Sequence, residues 1–265
     1  MILILITETI STGKMRVVNN IDVVQIPIKP GTTEYYFPLN HNFRGRVVDK
    51  IVVAFAPQGL DIVSPVDRSS HVLRYDEIDN LYMDLYASDD TQIMRDCVTD
   101  SFMATNNHPV EVNRELSLSL CRLYCTSDPV NEGVLLLYVY YGSKNVEYYP
   151  ATKSLTVTVP LDGLESVSLQ ALVDNYIHMQ PKKVKGVYMW KENSAPAYLS
   201  LRSEDNRTTL NYIPSVLARP PFSEGTASET QIYPLRLDNI DIDMLNSYLF
   251  NPQDVSADIQ ISFLF

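Results

Sequence analysis

The 265-residue chain repeats itself once, and that repetition limits what it can fold into. The segment LYMDLYASDDTQIMRDCVTDSF (81–102) aligns without gaps on AYLSLRSEDNRTTLNYIPSVLA (197–218), 116 residues further on. In each copy a strand ends at Leu85 or Leu201, a polar turn carries Asp89 or Asp205, and a second strand reaches Val98 or Pro214. Downstream, 109–141 matches 233–265 at offsets near 124. The shared features there are a proline (Pro109, Pro234), an alternating strand, a tyrosine (Tyr124, Tyr248), an Asp-Pro or Asn-Pro turn (Asp128-Pro129, Asn251-Pro252) and a terminal aromatic strand. Upstream, VVDKIVVAF (47–55) matches KVKGVYMW (183–190) at an offset of 135. Such a period is too long for a solenoid unit and suits a whole domain. The expected division is an arm over 1–20, a first domain over 21–147 and a second over 148–265. The two meet near Gly142–Pro150, where SKNVEYYPATK reads as a linker.

Both halves read as all-β. Short alternating or β-branched runs recur, among them IDVVQIPI (21–28), DKIVVAF (49–55), GVLLLYVYY (133–141), SLTVTVP (154–160) and ADIQISFLF (257–265). Clusters of Pro, Asn and Asp separate them. LESVSLQALVDNYIHM (164–179) fits a strand or an amphipathic helix equally. In the first half, eight strands are expected near 22–29, 33–43, 47–56, 81–87, 92–97, 109–112, 115–124 and 134–141. The fall in offset from 135 to 116 gives the first half 19 extra residues between its third and fourth strands. The later rise gives the second half about 8 more after its fifth. If successive strands run antiparallel, these long connections share one end of each domain, and the tight turns ASDDT and SEDNR lie at the other.

Composition narrows the function classes. Lys+Arg is 21 against Asp+Glu 32, a net charge of −11, which argues against a general phosphate binder. No stretch approaches the ~20 apolar residues of a membrane-spanning helix. MILILITET (1–9) lacks a basic region and a cleavage signal, so it reads as a strand or arm. Cys97, Cys121 and Cys125 form no even-numbered framework and have no histidine at zinc-finger spacing. They read as small buried hydrophobes, with synthesis in a cytoplasm.

Candidate chemistry is sparse. His41, His71, His108 and His178 make no metal-ligand pair, and GxSxG, P-loop, GxGxxG and HExxH patterns are missing from the sequence. LDNIDIDM (237–244) puts Asp241 and Asp243 on one strand face, a pair that would suit calcium or glycoside hydrolysis. The stretch matched to it, SLSL (117–120), carries serines there, and a solvated strand face is the expectation. Tyr35-Tyr36-Phe37, Tyr138-Tyr140-Tyr141 and Tyr148-Tyr149 would stack sugars, or fill a sandwich core or a subunit interface. Lys182, Lys183 and Lys185, the one basic knot, would face a membrane or nucleic acid, or protect a strand edge, and edge protection is the expectation. The expectation is therefore no enzyme, with no catalytic, cofactor-binding or metal-binding residue.

Tandem eight-stranded β domains with long loops at one end resemble the double jelly-roll major capsid proteins of tailless icosahedral viruses. By size the chain is most similar to those of small membrane-containing bacteriophages. The resemblance rests on LYMDLYASDDTQIMRDC and AYLSLRSEDNRTTLNY, and on the final strands LLLYVYY and IQISFLF. It covers most of the chain beyond residue 20 and is a likeness of pattern rather than of a diagnostic motif. The clear helix that often follows the sixth strand of each roll is not evident, with 98–105 and 213–219 as short candidates.

The resemblance implies two tandem eight-stranded jelly-roll β-sandwiches standing side by side, perpendicular to a shell. It implies pseudo-hexagonal homotrimers that tile an icosahedral virion capsid. Partners would be neighbouring capsomers, penton and spike proteins and an internal lipid membrane, without sequence-specific nucleic-acid binding. Loops near 57–80 and 218–232 would face outward, and the arm and the last strand would touch other subunits. Two other roles share the same pattern: a head-decoration, tail or ring component, and a tandem carbohydrate-binding module.

Overall fold

The computed structural model describes residues 16–56, 59–78, 81–99, 110–146, 154–173, 183–191, 196–206, 209–215 and 235–265. The chain divides into two compact units, one of Asn19–Ser143 and one that holds Lys144–Phe265. The first is built on β1 (Arg16–Ile28), β2 (Glu34–Tyr36), β3 (Val47–Ala54), β4 (Leu81–Tyr86), β5 (Gln92–Val98), β6 (Val110–Glu115), β7 (Arg122–Cys125) and β8 (Gly133–Val146). The second is built on β9 (Ser154–Leu161), β10 (Ser166–Ser168), β11 (Val184–Lys191), β12 (Tyr198–Arg202), β13 (Thr209–Pro214), β14 (Leu235–Ile240), β15 (Tyr248–Phe250) and β16 (Ala257–Leu264). A short helix, α1 (Leu169–Val173), follows β10, so 164–173 is part strand and part helix.

Strand order repeats with the sequence. The first unit pairs β1-β8-β3-β6 in one sheet and β2-β7-β4-β5 in the other. The second pairs β9-β16-β11-β14 and β10-β15-β12-β13. Adding eight to every strand number of the first unit gives the second. This is the order of a jelly roll, an eight-stranded sandwich of two Greek keys. The fold is therefore two tandem β-sandwiches.

Period-two alternation makes each core. Val24, Ile26 and Ile28 of β1, Ile51 and Val53 of β3, Leu81, Met83 and Leu85 of β4, and Leu135, Leu137 and Val139 of β8 share one cluster. In the second unit Val157 and Val159, Val187 and Met189, Leu199 and Leu201, and Ile259, Ile261 and Phe263 are buried in the same rhythm. Burying each such side chain contributes roughly 1.5–3 kcal/mol.

Register corrects two of the sequence offsets. In β3 the pairing shifts between Val48 and Lys50, and in β11 between Val184 and Gly186, so the true offset there is 136 rather than 135. A one-residue slip would exchange the two faces of the strand. At 136, buried Val48, Ile51 and Val53 answer buried Val184, Val187 and Met189. In β7 and β15 the offset is 126: Tyr82 pairs with Tyr124, and Tyr198 with Phe250. Phe250, not Tyr248, is therefore the counterpart of Tyr124, and Asp241 answers Glu115 rather than a serine. A slip of two leaves the faces unchanged, so alternation alone does not expose it. The final strands keep 124, since Lys50 pairs with Tyr140 and Gly186 with Leu264.

Strand limits also move. The expected second strand (33–43) is paired only over Glu34–Tyr36, and the expected seventh (115–124) begins its ladder at Arg122. The 1–9 arm, the 218–232 loop, Tyr148-Tyr149, His108, His178 and Lys182 lie outside the described residues, as do the candidate helices beyond Thr99 and Ser215.

Within the first unit the β1–β2, β3–β4 and β7–β8 connections meet at one end. There Gly31 N–H donates to Asp128 Oδ1 at 2.6 Å and Asn131 Nδ2 to the Glu77 carbonyl at 3.2 Å. The β4–β5 turn meets the β6–β7 connection at the other end, through Ser88 N–H to the Glu115 carbonyl and Ser117 N–H to the Tyr86 carbonyl, both 2.9 Å. The second unit repeats these two bonds as Glu204 N–H to Asp241 and Asp243 N–H to Arg202.

Candidate functional surfaces

The outward face of the β2-β7-β4-β5 sheet carries two ranks of side chains. One runs Tyr36, Arg122, Asp84, and the other Glu34, Tyr124, Tyr82, Val98, each set by directly opposed residues. Arg122 donates through Nε to Asp84 Oδ2 at 2.9 Å and through a terminal nitrogen to Glu34 Oε1 at 3.0 Å. Its guanidinium lies 5.2 Å from the Tyr124 ring centroid, and the Tyr124 ring stacks on Tyr82 at 5.3 Å. The Tyr124 hydroxyl donates to the Asp96 carboxylate, and that bond, with burial, pushes its pKa up to about 12. Tyr36 is the most open member, 55% exposed.

The matching face of the second unit is chemically different. Its ranks read Ser168, Tyr248, Ser200 and Ser166, Phe250, Tyr198, Pro214, with no charged side chain among them. Tyr198 and Phe250 stack at 6.5 Å and are only 3% and 2% exposed. One architecture thus presents a charged face in one unit and a neutral one in the other, on which Tyr248 is the exposed member at 42%. Tyr82 and Tyr124 stack on each other rather than lying flat as a platform for a sugar ring.

The β3–β4 connection of the first unit is a folded element in its own right. Residues 71–74 are spliced into the first sheet where β3 and β8 part: Ala56 N–H bonds the Leu73 carbonyl, Leu73 N–H the Val134 carbonyl, and Val134 N–H the His71 carbonyl. Arg74 is a hub, paired with Asp61 at 2.6 Å, Glu77 at 2.8 Å and Asp76 at 3.7 Å. Glu77 also accepts from His71 Nε2 at 2.8 Å and from Arg74 N–H at 2.7 Å. Burial raises the Glu77 pKa, but the hydrogen bonds from Arg74 and His71, with the attraction of these two neighbours, outweigh it and hold the group below its usual range. Asp67 behaves alike. Burial raises it, yet donors from Ser69, Ser70 and Gln25 together keep it far below the ordinary carboxylate value.

The residues singled out from sequence are scattered. His41 stacks on Phe43 at 5.3 Å and faces Asp22 Oδ2 at 3.3 Å, while His71 sits in the Arg74 network. Asp241 takes Lys183 Nζ at 2.6 Å, and Asp243 accepts from the backbone and side chain of Asn246, so the two carboxylates serve separate structural bonds. Tyr35 and Tyr138 are buried, and Lys50 lies 4.6 Å from the Tyr140 ring centroid. Cys121 and Cys125 are buried, as expected, and Cys97 is half-buried. Among the described residues no group of three or more His, Cys, Asp or Glu is placed to hold a metal ion. Sequence reasoning missed the Arg122–Asp84 face. Its one signal was alternation of polar with apolar residues in LYMDLY and RLYC.

No protein-family model matches the chain, and none of the curated proteins does. Among solved structures it is similar to a chain from the atomic structure of Sulfolobus Turreted Icosahedral Virus, with 10% sequence identity, covering 92% of this chain and 90% of that one. The TM-score is 0.24, a loose likeness.

Proposed function

We propose that this chain is a structural protein of a virus, a double jelly-roll capsid building block that associates as homotrimers to tile an icosahedral shell. One observation supports the reading above others: two consecutive units with the same eight-strand order, sheet for sheet. The scattered titratable groups, most of them engaged in structural bonds, favour a role in assembly over one in a reaction. On this reading the 59–78 element faces outward, and the apolar arm MILILITET pairs with a neighbouring subunit, which would hide both the arm and a strand edge. A small membrane-containing bacteriophage, with penton and spike proteins as further partners, is the finer form of the proposal. The test is assembly. Purified chain should yield six-cornered particles in negative stain, and deletion of residues 1–9 should impair their joining into larger arrays while both sandwiches stay folded. Rings of another order would point instead to a tail or ring component.

A further inference from the structure

The β1–β2 and β9–β10 connections are one turn built twice, 133 residues apart. Lys29-Pro30-Gly31-Thr32 closes with Thr32 N–H on the Lys29 carbonyl at 3.3 Å, and Asp162-Gly163-Leu164-Glu165 with Glu165 N–H on the Asp162 carbonyl at 3.2 Å. The third residue of each is left-handed, Gly31 at φ 82° and Leu164 at φ 60°. Glycine takes that place freely, whereas a leucine there crowds its Cβ against a carbonyl oxygen. Among the described left-handed residues Leu164 alone is aliphatic, and burial does not offset its strain, since it is 46% exposed. The loop that carries it is fixed. A Cβ on Gly163 would lie 2.2 Å from the Asp254 carbonyl oxygen, and the Asn251 amide donates to the Asp162 and Val255 carbonyls at 3.2 and 2.9 Å. Exposed Leu164 and Val255 thus share one rigid rim with exposed Asp162 and Glu165. The turn of the first unit is the complement of this rim. Gly31 is exposed, and among the described residues nothing but its chain neighbours lies within 4 Å of the place its Cβ would take. Its N–H is held by Asp128, two residues before Val130, which is 86% exposed. Exposed Lys29 stands where the second unit has Asp162.

We propose that these two turns meet between copies of the chain. Leu164 and Val255 of one copy seat on the bare Gly31 turn and Val130 of the next, with Asp162 and Glu165 facing Lys29. The inference rests on the homotrimer reading above and names the contact that joins its subunits. Both turns are exposed in a single chain, so neither is covered within it. Charge sets the direction: two copies of the second turn would oppose carboxylates, and two of the first would oppose lysines, whereas one of each pairs opposite signs. A contact between different patches is head-to-tail, and head-to-tail contacts close into rings when the rotation allows, as in a trimer. The strain at Leu164 is then held for the sake of association, in which the side chain is buried.

Sedimentation velocity over a dilution series of the full chain tests this. Leu164→Gly should weaken association about tenfold or more, while urea unfolding of the dissociated chain shows no loss of stability, because glycine relieves the left-handed turn. Lys29→Glu should weaken association about fivefold, with the fold likewise intact. Gly31→Cys combined with Leu164→Cys should give chains cross-linked to one another on mild oxidation, and neither change alone should do so. Association at wild-type strength in both Leu164→Gly and Lys29→Glu overturns the contact and leaves the trimer reading standing, as does weakening that appears only in step with unfolding. A wild-type chain that stays monomeric at every concentration overturns the contact and the trimer together.

Discussion

Asp84 Oδ1 accepts the backbone N–H of Asp96 at 2.8 Å, and 116 residues later Ser200 Oγ accepts that of Tyr212 at 3.1 Å. Both donating residues, Asp96 and Tyr212, are left-handed, with φ of 53° and 50°, and the β4–β5 and β12–β13 registers both shift beside them. A left-handed L-residue costs roughly 1–2 kcal/mol, so a side chain that anchors the displaced N–H is part of the bulge. The bulge, its strain and its anchor recur together, which is stronger evidence of common construction than the aligned letters.

The two anchors differ in weight. Asp84 is 2% exposed and also holds Arg122, so Asp84→Ala should cost about 3 kcal/mol by leaving a guanidinium and an N–H without it. Ser200→Ala should cost about 1 kcal/mol, and Asp84→Ser should fall between. Urea unfolding read on each unit's own transition checks the order, and equal losses would contradict it.

Two glycines are fixed by neighbours rather than by backbone angle. A Cβ on Gly163 would collide with the backbone of Asp254, and one on Gly133 with His71 and Leu73. Alanine at either site should destabilise by about 2–3 kcal/mol, through overpacking. Gly31, at φ 82° in open space, should cost only about 1 kcal/mol on replacement by alanine. Melting temperatures of the three variants test the ranking.

Acid should loosen the β3–β4 connection before the sheets part. Asp67 and Glu77 both have folded pKa values below the unfolded ones, so their stabilisation is complete above about pH 5 and is lost as pH falls through the folded values. Amide exchange across 59–78 followed down to pH 2 should rise there first. Asp67→Asn should flatten that dependence, and an unchanged profile would contradict the assignment.

Thiol chemistry should separate the cysteines. Burial pushes Cys121 and Cys125 up to about 11, which leaves almost no thiolate at pH 8. Alkylation of the folded protein should modify Cys97 alone, as read by peptide mass, with all three labelled in denaturant.

Much of the architecture was legible because it was written twice. The repeat ended matched strands at Leu85 and Leu201, and both side chains lie buried in corresponding places. Legibility failed where letters and spacing disagree. Tyr124 and Tyr248 share a residue type but not a place, because two fewer residues run from Phe250 to β16 than from Tyr124 to β8. The pairing shift after Val48 hid the one-residue error in β3. The Arg122 face was invisible because its members come from four strands, and only pairing brings Glu34, Asp84, Asp96 and Arg122 together. The β3–β4 insertion was legible as length, whereas its return into the sheet depends on where β3 and β8 part.

The most direct test of the central proposal is the native mass of the purified chain, by light scattering and sedimentation. The account predicts a species of three 30.1 kDa chains. A stable monomer, or a ring of any other order, would contradict it.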